Sequence, residues 1–348
     1  APGGATIHHV DWLTDRRVAI WINSPSMGVP IQVQMLLARD WNSKPTEKFP
    51  SVYMLDGLRA QDNENGWTLE TDAESFFADK NINVVLPVGG QSSFYSDWVA
   101  QDNGQNYQWE TFLTKELPPI LESDWRTTKT RGVVGLSMGG TSAMFLAARN
   151  QGFFKFAASL SGMLTTTALG MPQAVAYAMS DAGGFDADAM WGPDQLCVGG
   201  TRPLPAGRQA QGRQPVHLQR QRHHGSVRPA VRNPGRQHQL RGHGARDPQR
   251  LTSQTFATKL NKLGIPAQVN YRPSGTHSWP YWQFELHQLW PQLAGAVDVE
   301  PEKPVCTTGG SIAGVAGANP WIGDCLTPEY SLAGGTVQDF RNGRIFVK

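Results

Sequence analysis

A serine held between two glycines is the first place in this chain where chemistry can be read: Gly135-Leu136-Ser137-Met138-Gly139. The G-x-S-x-G pattern is that of a nucleophile elbow, a sharp strand-to-helix turn that lifts the serine hydroxyl above a sheet. Glycine two residues to either side lets the strand and helix backbones cross with no Cβ between them. The next N–H, on Met138, points into the same space and can help bind an oxyanion. Gly132-Val133-Val134 supplies the apolar strand ahead of the serine. Ala143, Phe145, Leu146 and Ala147 continue the turn as a helix from about Met138 to Asn150. An ordinary glycine turn is the competing explanation in a chain that holds 37 glycines.

A nucleophile of this kind needs a sheet beneath it, and the chain alternates strand and helix signals. Val18–Ile22 and Ile31–Leu37 read as an early antiparallel pair, and Phe49–Leu55 as a third strand ending in Asp56-Gly57-Leu58-Arg59. A helix is expected near Asp72 to Asp79, a strand at Ile82–Pro87, and helical spacing from Trp109 to Leu121. The elbow strand and Phe156–Leu160 follow. This order predicts an α/β fold with a mostly parallel central sheet and helices on both faces. Sites in such sheets lie beyond the carboxyl ends of the strands. Asp56–Arg59, Gly89-Gly90-Gln91-Ser92 and Ser137 all fall at such ends and are expected to converge.

The 348 residues suit one large α/β domain with a small appendage. No window is long and apolar enough to span a bilayer. The first residues, Ala1-Pro2-Gly3-Gly4, carry no charged or apolar leader and fit the start of a mature secreted chain. Of three cysteines, Cys306 and Cys325 are close enough in sequence to pair, which leaves Cys197 over. Twelve tryptophans are many for this length; core packing accounts for them, and so does a sugar or lipid site.

Six segments, taken together, carry a resemblance. They are Leu55-Asp56-Gly57-Leu58-Arg59-Ala60-Gln61-Asp62, Pro87-Val88-Gly89-Gly90-Gln91-Ser92-Ser93-Phe94-Tyr95, Trp109-Glu110-Thr111-Phe112-Leu113, Gly135-Leu136-Ser137-Met138, Met190-Trp191-Gly192-Pro193 and Gly275-Thr276-His277-Ser278-Trp279-Pro280-Tyr281-Trp282. In order and spacing they resemble the antigen 85 family of secreted mycolyltransferases. The resemblance spans roughly the first 195 residues and resumes from Leu251 to about Leu293. It implies an α/β-hydrolase fold, no metal and no cofactor. It also implies a secreted or cell-wall location, a monomer, and peripheral association with the cell envelope. The implied partners are trehalose mycolates and cell-wall glycolipid or arabinogalactan, with no nucleic acid. The implied reaction moves a mycolyl chain from trehalose monomycolate to a second one or to arabinogalactan.

By the same resemblance Ser137 is the acylated nucleophile and His277 the general base, which later protonates the leaving sugar hydroxyl. The residues support the second assignment. His277 sits in a Gly/Ser/Thr loop after the strand-like Ala267–Tyr271, late in the chain, where the order Ser, acid, His requires it. The Leu58 and Met138 amides are implied as the oxyanion hole, and Asp56, Arg59, Ser278 and Trp279 as sugar-binding residues. An aspartate beside an arginine suits a polyol, because one accepts and the other donates. A solvated turn with a surface ion pair is the plainer account of Asp56 and Arg59.

The stretch Thr201–Arg250 breaks this pattern. It holds eleven arginines, five histidines, eight glutamines, no lysine and a single acid, Asp247. Without it, 20 basic residues face 28 acidic ones, so the chain's formal +2 charge comes from this segment. A basic arm for an anionic surface, a low-complexity insertion and a translated frameshift all fit. Synonymous codons for Pro205–Arg250, read one base later, give a helix, a strand ending in glycines, a loop and a second helix. The recovered ALEIL runs into Leu251, and its glutamate resembles the family's triad acid. That codon straddles Arg246 and Asp247, so Asp247 is the weak remaining candidate for the acid. The segment is expected to carry no sheet strand, and the chain as written to be impaired.

Residues 1–298 are thus expected to form the catalytic domain. Residues 299–348 read as a Pro/Glu/Lys linker followed by a partial LGFP-like repeat, carried by Trp321–Tyr330 and Gly334–Phe346. A short β-hairpin decoration is the alternative. Three functions remain open: acyl transfer to a sugar, ester hydrolysis on the same elbow, and carbohydrate binding without catalysis.

Overall fold

The computed structural model describes residues 4–168, 170–192, 216–220, 248–272, 275–300, 306–332, 334–341 and 343–348. Its sheet begins with three antiparallel strands, β1 (Thr6–Trp12), β2 (Arg17–Asn23) and β3 (Pro30–Leu36). The remaining six are β4 (Phe49–Leu55), β5 (Asn83–Pro87), β6 (Thr127–Leu136), β7 (Phe156–Leu160), β8 (Val216–Arg220) and β9 (Ala267–Tyr271). They lie in the order β1-β2-β3-β5-β4-β6-β7-β8-β9, and every pair from β5 to β9 is parallel. The expected pair at the start and the parallel sheet behind it are both present. Sequence alternation missed β1, in which polar and apolar residues mix as His8-His9-Val10-Asp11-Trp12.

Alternate residues of the central strands feed two cores. Tyr53, Leu55 and Val133 point to one, while Val52, Met54 and Val134 point to the other. This is the period-two geometry of a strand buried on both faces. Over the first face lie α3 (Leu117–Asp124) and α4 (Met138–Arg149), with Leu117, Ile120, Ala143 and Leu146 buried. The second face is covered by α1 (Gly66–Glu70), α2 (Ala73–Phe77) and α8 (Trp279–Ala296). The other helices beside the sheet are α5 (Met171–Gly183), α6 (Ala187–Trp191) and α7 (Pro248–Lys262).

Two sequence expectations need correction. The helical spacing from Trp109 to Leu121 is interrupted by a π-helical turn at Phe112–Glu116, where the Leu117 N–H donates to the Phe112 carbonyl. Pro118 and Pro119 follow directly and have no N–H to donate, so the ladder widens ahead of them. The second concerns Thr201–Arg250. A strand does occur there: the backbone of β8 pairs with β7 on one side and β9 on the other. Without it, the edges of two parallel strands would carry unpaired backbone groups, which is costly. The alternation Val216-His217-Leu218-Gln219 suits a strand.

The C-terminal residues form a separate small unit. Helix α9 (Gly310–Ala318) packs with a three-stranded sheet of β10 (Tyr330–Leu332), β11 (Gly335–Phe340) and β12 (Gly343–Val347). Ile312, Ile322, Phe340 and Ile345 are its core. Cys306 and Cys325 form a disulfide, as their spacing suggested. So little apolar surface suits a unit that needs a covalent staple.

This unit docks on the main domain through charge. Arg341 donates to the Ser75 carbonyl (3.2 Å) and to Asp79 (3.1 Å), and Arg344 reaches Asp15 (3.4 Å). These partners lie toward the amino ends of the parallel strands: Ser75 and Asp79 are in the segment that leads into β5, and Asp15 is two residues before Arg17, which pairs with Leu36 beside Val84. Burial pushes the Asp79 carboxyl up, but Lys80 and Arg341 outweigh it and hold the group below the usual carboxylate range. The contact is therefore present above that range and lost as pH falls through the lowered value. Replacing Arg341 with alanine should cost about 1–2 kcal/mol of stability at neutral pH, read by urea unfolding, and the deficit should shrink in acid. A cost that stays constant with pH would show that the pair does not hold the unit in place.

Candidate active site

The turn at Ser137 is built by missing side chains. Ser137 has φ 51° and ψ −118°, outside the regions open to most residues. A Cβ on Gly135 would meet the Gly139 carbonyl oxygen at 2.0 Å, and one on Gly139 would meet the Asp56 carbonyl oxygen at 2.5 Å. Glycine is thus required on both sides of the serine, and a third chain segment makes it so. The elbow is tied in place by the Ser137 N–H to Leu160 (2.8 Å) and the Gly139 N–H to Asp56 (3.1 Å).

His277 Nε2 lies 2.9 Å from Ser137 Oγ, hydrogen-bond distance for a base and its nucleophile. The two are 140 residues apart in sequence. His277 is held edge-on against Trp282, ring centroids 4.8 Å apart, and Trp282 Nε1 donates to Ser161 Oγ at 3.3 Å. Ser278, next to the base, stands at the residue before α8, and its hydroxyl bonds that of Thr276 at 2.8 Å instead of a helix N–H. Trp279 packs edge-on against Trp67 and Trp282, with centroids 5.9 and 5.2 Å away. Asp247, the candidate acid, lies outside the described residues.

The turn after β4 passes over the serine: a Cβ on Gly57 would stand 3.9 Å from the Ser137 Cβ. Leu58 follows, half-buried, with its carbonyl accepting the Ser92 N–H at 3.0 Å. Met138 is buried, and its sulfur accepts the Phe94 N–H at 3.2 Å. Among the described residues neither the Leu58 nor the Met138 N–H is taken up by a carbonyl. The carboxyl ends of β4, β5 and β6 thus converge as their sequence positions required. The described residues contain no group of three or more His, Cys, Asp or Glu placed to hold a metal.

Asp56 has a different task from the sugar contact expected of it. It is 5% exposed, and its two oxygens accept the N–H groups of Gly57 and Gly66, each at 2.6 Å. Burial pushes its carboxyl up, and the Gly66 and Gly57 N–H groups pull against that. Its own N–H donates to the hydroxyl of Tyr95, which burial and then the Asp56 charge keep un-ionised. Asp56 therefore clamps the turn that carries Leu58. Arg59 is exposed, as a ligand contact should be, and pairs with Asp181 of α5 at 2.6 Å.

Sequence reading quoted Tyr95 and Trp282 in the resembling segments without a role, and did not single out Ser161 or Asp181. Asn65-Gly66-Trp67 did carry a signal: Asn65 Oδ1 accepts the Trp67 N–H at 3.0 Å as a helix cap. A Cβ on Gly66 would meet the Trp279 ring at 2.5 Å and Asp56 Oδ1 at 2.8 Å.

The fold and this constellation define an α/β-hydrolase of the esterase class, and residues 24–293 match a family model described as putative esterase. The chain is 35% identical over 294 residues to the diacylglycerol acyltransferase/mycolyltransferase Ag85B of Mycobacterium avium, covering 81% of this chain and 84% of that protein. It is 36% identical to Ag85C of Mycobacterium leprae over 295 residues, covering 78% and 79% respectively. The chain therefore belongs to the putative esterase family and, within it, to the antigen 85 acyltransferases. The solved structure of MPT51 from Mycobacterium tuberculosis is similar, with 28% identity, TM-score 0.58, and coverage of 79% of this chain and 96% of that one. Serine hydrolase F of Staphylococcus aureus shares the fold at 16% identity and TM-score 0.58, covering 81% of this chain and 98% of its own.

Gly66→Ala tests whether the clamp and the base loop are coupled through this packing. The methyl group must displace either Trp279 or Asp56, which should cost about 1–3 kcal/mol and lower ester turnover at least tenfold. Turnover on a chromogenic ester and urea unfolding read the two effects. Wild-type values in both would show that the tryptophan moves aside freely.

Proposed function

We propose that the chain is a serine acyltransferase that moves a mycolyl group from trehalose monomycolate to a second trehalose monomycolate or to arabinogalactan. The observation that carries this reading is the 2.9 Å approach of His277 Nε2 to a Ser137 hydroxyl held at positive φ. In the reaction Ser137 Oγ attacks the ester carbonyl and its proton passes to His277. The oxyanion is received by the Leu58 and Met138 N–H groups, where charge develops in the transition state. His277 returns the proton to the leaving trehalose hydroxyl, and an acyl-enzyme on Ser137 remains. A second sugar hydroxyl, deprotonated by His277, attacks the acyl carbonyl and frees the serine. A carboxylate behind the other histidine nitrogen would fix the tautomer and stabilise the imidazolium.

The names of the antigen 85 relatives favour a sugar or lipid acceptor over water. The esterase family model favours hydrolysis as the second reading. Both use the same acyl-enzyme and differ only in what resolves it. A location outside the cell or at its wall, peripheral to the envelope, fits the relatives and the disulfide, because such bonds persist in oxidising compartments. The C-terminal unit, read as a partial LGFP-like repeat, belongs to the same proposal as an envelope-binding appendage.

The reading frame of Thr201–Arg250 is part of this proposal. A shifted frame would restore a glutamate at the codon that straddles Arg246 and Asp247. Sequencing the source DNA on both strands tests it, and an in-frame read would dismiss the frameshift.

Ser137→Ala should lower acyl transfer by about four orders of magnitude or more, with circular dichroism unchanged. Mass spectrometry of the wild-type chain with an activated ester should show one acyl adduct, absent from the variant. A loss of only a few-fold, or an adduct on the variant, would remove Ser137 from the mechanism.

A further inference from the structure

A polyol acceptor needs a hydroxyl acceptor and a donor side by side at the mouth of the site. Asp56 and Arg59 are three positions apart in sequence and invite that role, but Asp56 is spent: 5% exposed, with both oxygens on backbone N–H groups. The exposed carboxylate beside Arg59 is Asp181, from the last turn of α5. Arg59 Nη2 and Asp181 Oδ2 are 2.6 Å apart, and the two side chains are 62% and 56% exposed. Only one guanidinium N–H and one carboxylate oxygen are used. Among the described residues nothing else takes up the rest of either group.

The helix end that carries Asp181 is held by two loops, one of which also bonds Leu58. Gln91 Nε2 donates to the Ala182 carbonyl at 2.7 Å, and Asn103 Nδ2 donates to the Gly183 carbonyl at 2.8 Å. Gln91 precedes Ser92, whose N–H bonds the Leu58 carbonyl at 3.0 Å. A Cβ on Gly183 would press into the Gln91 amide at 2.8 Å, so the helix end and this loop are in van der Waals contact. Arg59 is one residue, about 3.8 Å of Cα travel, beyond Leu58. An exposed ion pair of this kind adds little to stability. A fixed donor beside a fixed acceptor at the edge of the reacting centre is a fork for two neighbouring hydroxyls, one accepting from the guanidinium and one donating to the carboxylate.

We infer that Asp181, paired with Arg59, is a specificity-determining residue that grips vicinal hydroxyls of the sugar acceptor. This rests on the acyltransferase reading above and deepens it. Asp181 takes the acceptor role that the neighbouring sequence suggests for Asp56. The fork acts on the acceptor and does not touch the serine, the base or the oxyanion donors.

The experiment compares two acceptors of the acyl group from one activated ester: trehalose, which has vicinal hydroxyls, and n-butanol, which has none. Initial rates are measured for wild type, Asp181→Asn and Asp181→Ala, together with thermal unfolding. The expected result is a trehalose KM raised about tenfold or more in both variants, with kcat at saturating trehalose changed less than threefold. The preference for trehalose over butanol should fall by the same factor, because butanol gains nothing from the fork. An unchanged trehalose preference in a folded variant would overturn the assignment. So would a parallel loss with both acceptors, or a lowered melting temperature with unchanged KM, which marks a structural bridge. A wild-type chain that acylates neither alcohol and only hydrolyses the ester would overturn the acyltransferase reading and this one together. A wild-type preference for trehalose that survives Asp181→Asn would overturn this one alone.

Discussion

Three backbones meet at the elbow, and the site depends on their meeting without side chains between them. The chain leaving β6 at Gly135, the start of α4 at Gly139 and the carbonyl of Asp56 approach so closely that a methyl group at either glycine would overlap backbone atoms. Backbone yields far less than the tip of a flexible side chain, so this crossing fixes several relations at once. It sets the positive φ of Ser137 and brings the turn after β4 over the serine. A site defined this way is rigid on its serine side, the preorganisation that the proposed reaction requires.

The histidine side is held by softer means. His277 is exposed and packs beside aromatic rings: Trp282 lies edge-on to it, and Trp279 lies between Trp282 and Trp67. Trp67 is wholly buried, and its indole N–H donates to the Leu55 carbonyl at 3.1 Å. The aromatic wall is therefore anchored on the strand that leads into the oxyanion turn. Asp56 completes the link, because it holds Gly66 beside Trp279 with one oxygen and Gly57 above Ser137 with the other. Burying a carboxylate is expensive unless its oxygens are satisfied. Here two short backbone bonds satisfy it, and they lock the loop in return.

The elbow was legible in sequence because its requirement is a spacing of glycines within five residues. The central parallel strands were legible because they carry buried apolar runs, as at Val84, Val85 and Leu86. Burial of a polar residue has no such signature, which is why Asp56 reads like a ligand contact and proves to be a clamp. The Arg59–Asp181 pair joins residues 122 positions apart, on a turn and a helix whose packing no local pattern encodes. The π-helical turn was hidden for another reason: the spacing of apolar residues there is helical, and only the proline pair beyond it betrays the wider ladder. The strand at Val216–Arg220 was obscured by the arginine- and glutamine-rich composition around it.

The charged seat of the C-terminal unit, at the amino ends of the parallel strands, lies at the opposite pole of the sheet from Ser137. The C-terminal unit and Ser137 thus do not compete for surface. Held by that unit on a polymer or a solid support, the molecule would turn Ser137 outward. Rotation about the attachment would sweep Ser137 over neighbouring acceptors without letting go. Because the unit is seated on the main domain through Arg341 and Arg344, such a molecule would hold the Ser137 pole at a fixed distance from its support.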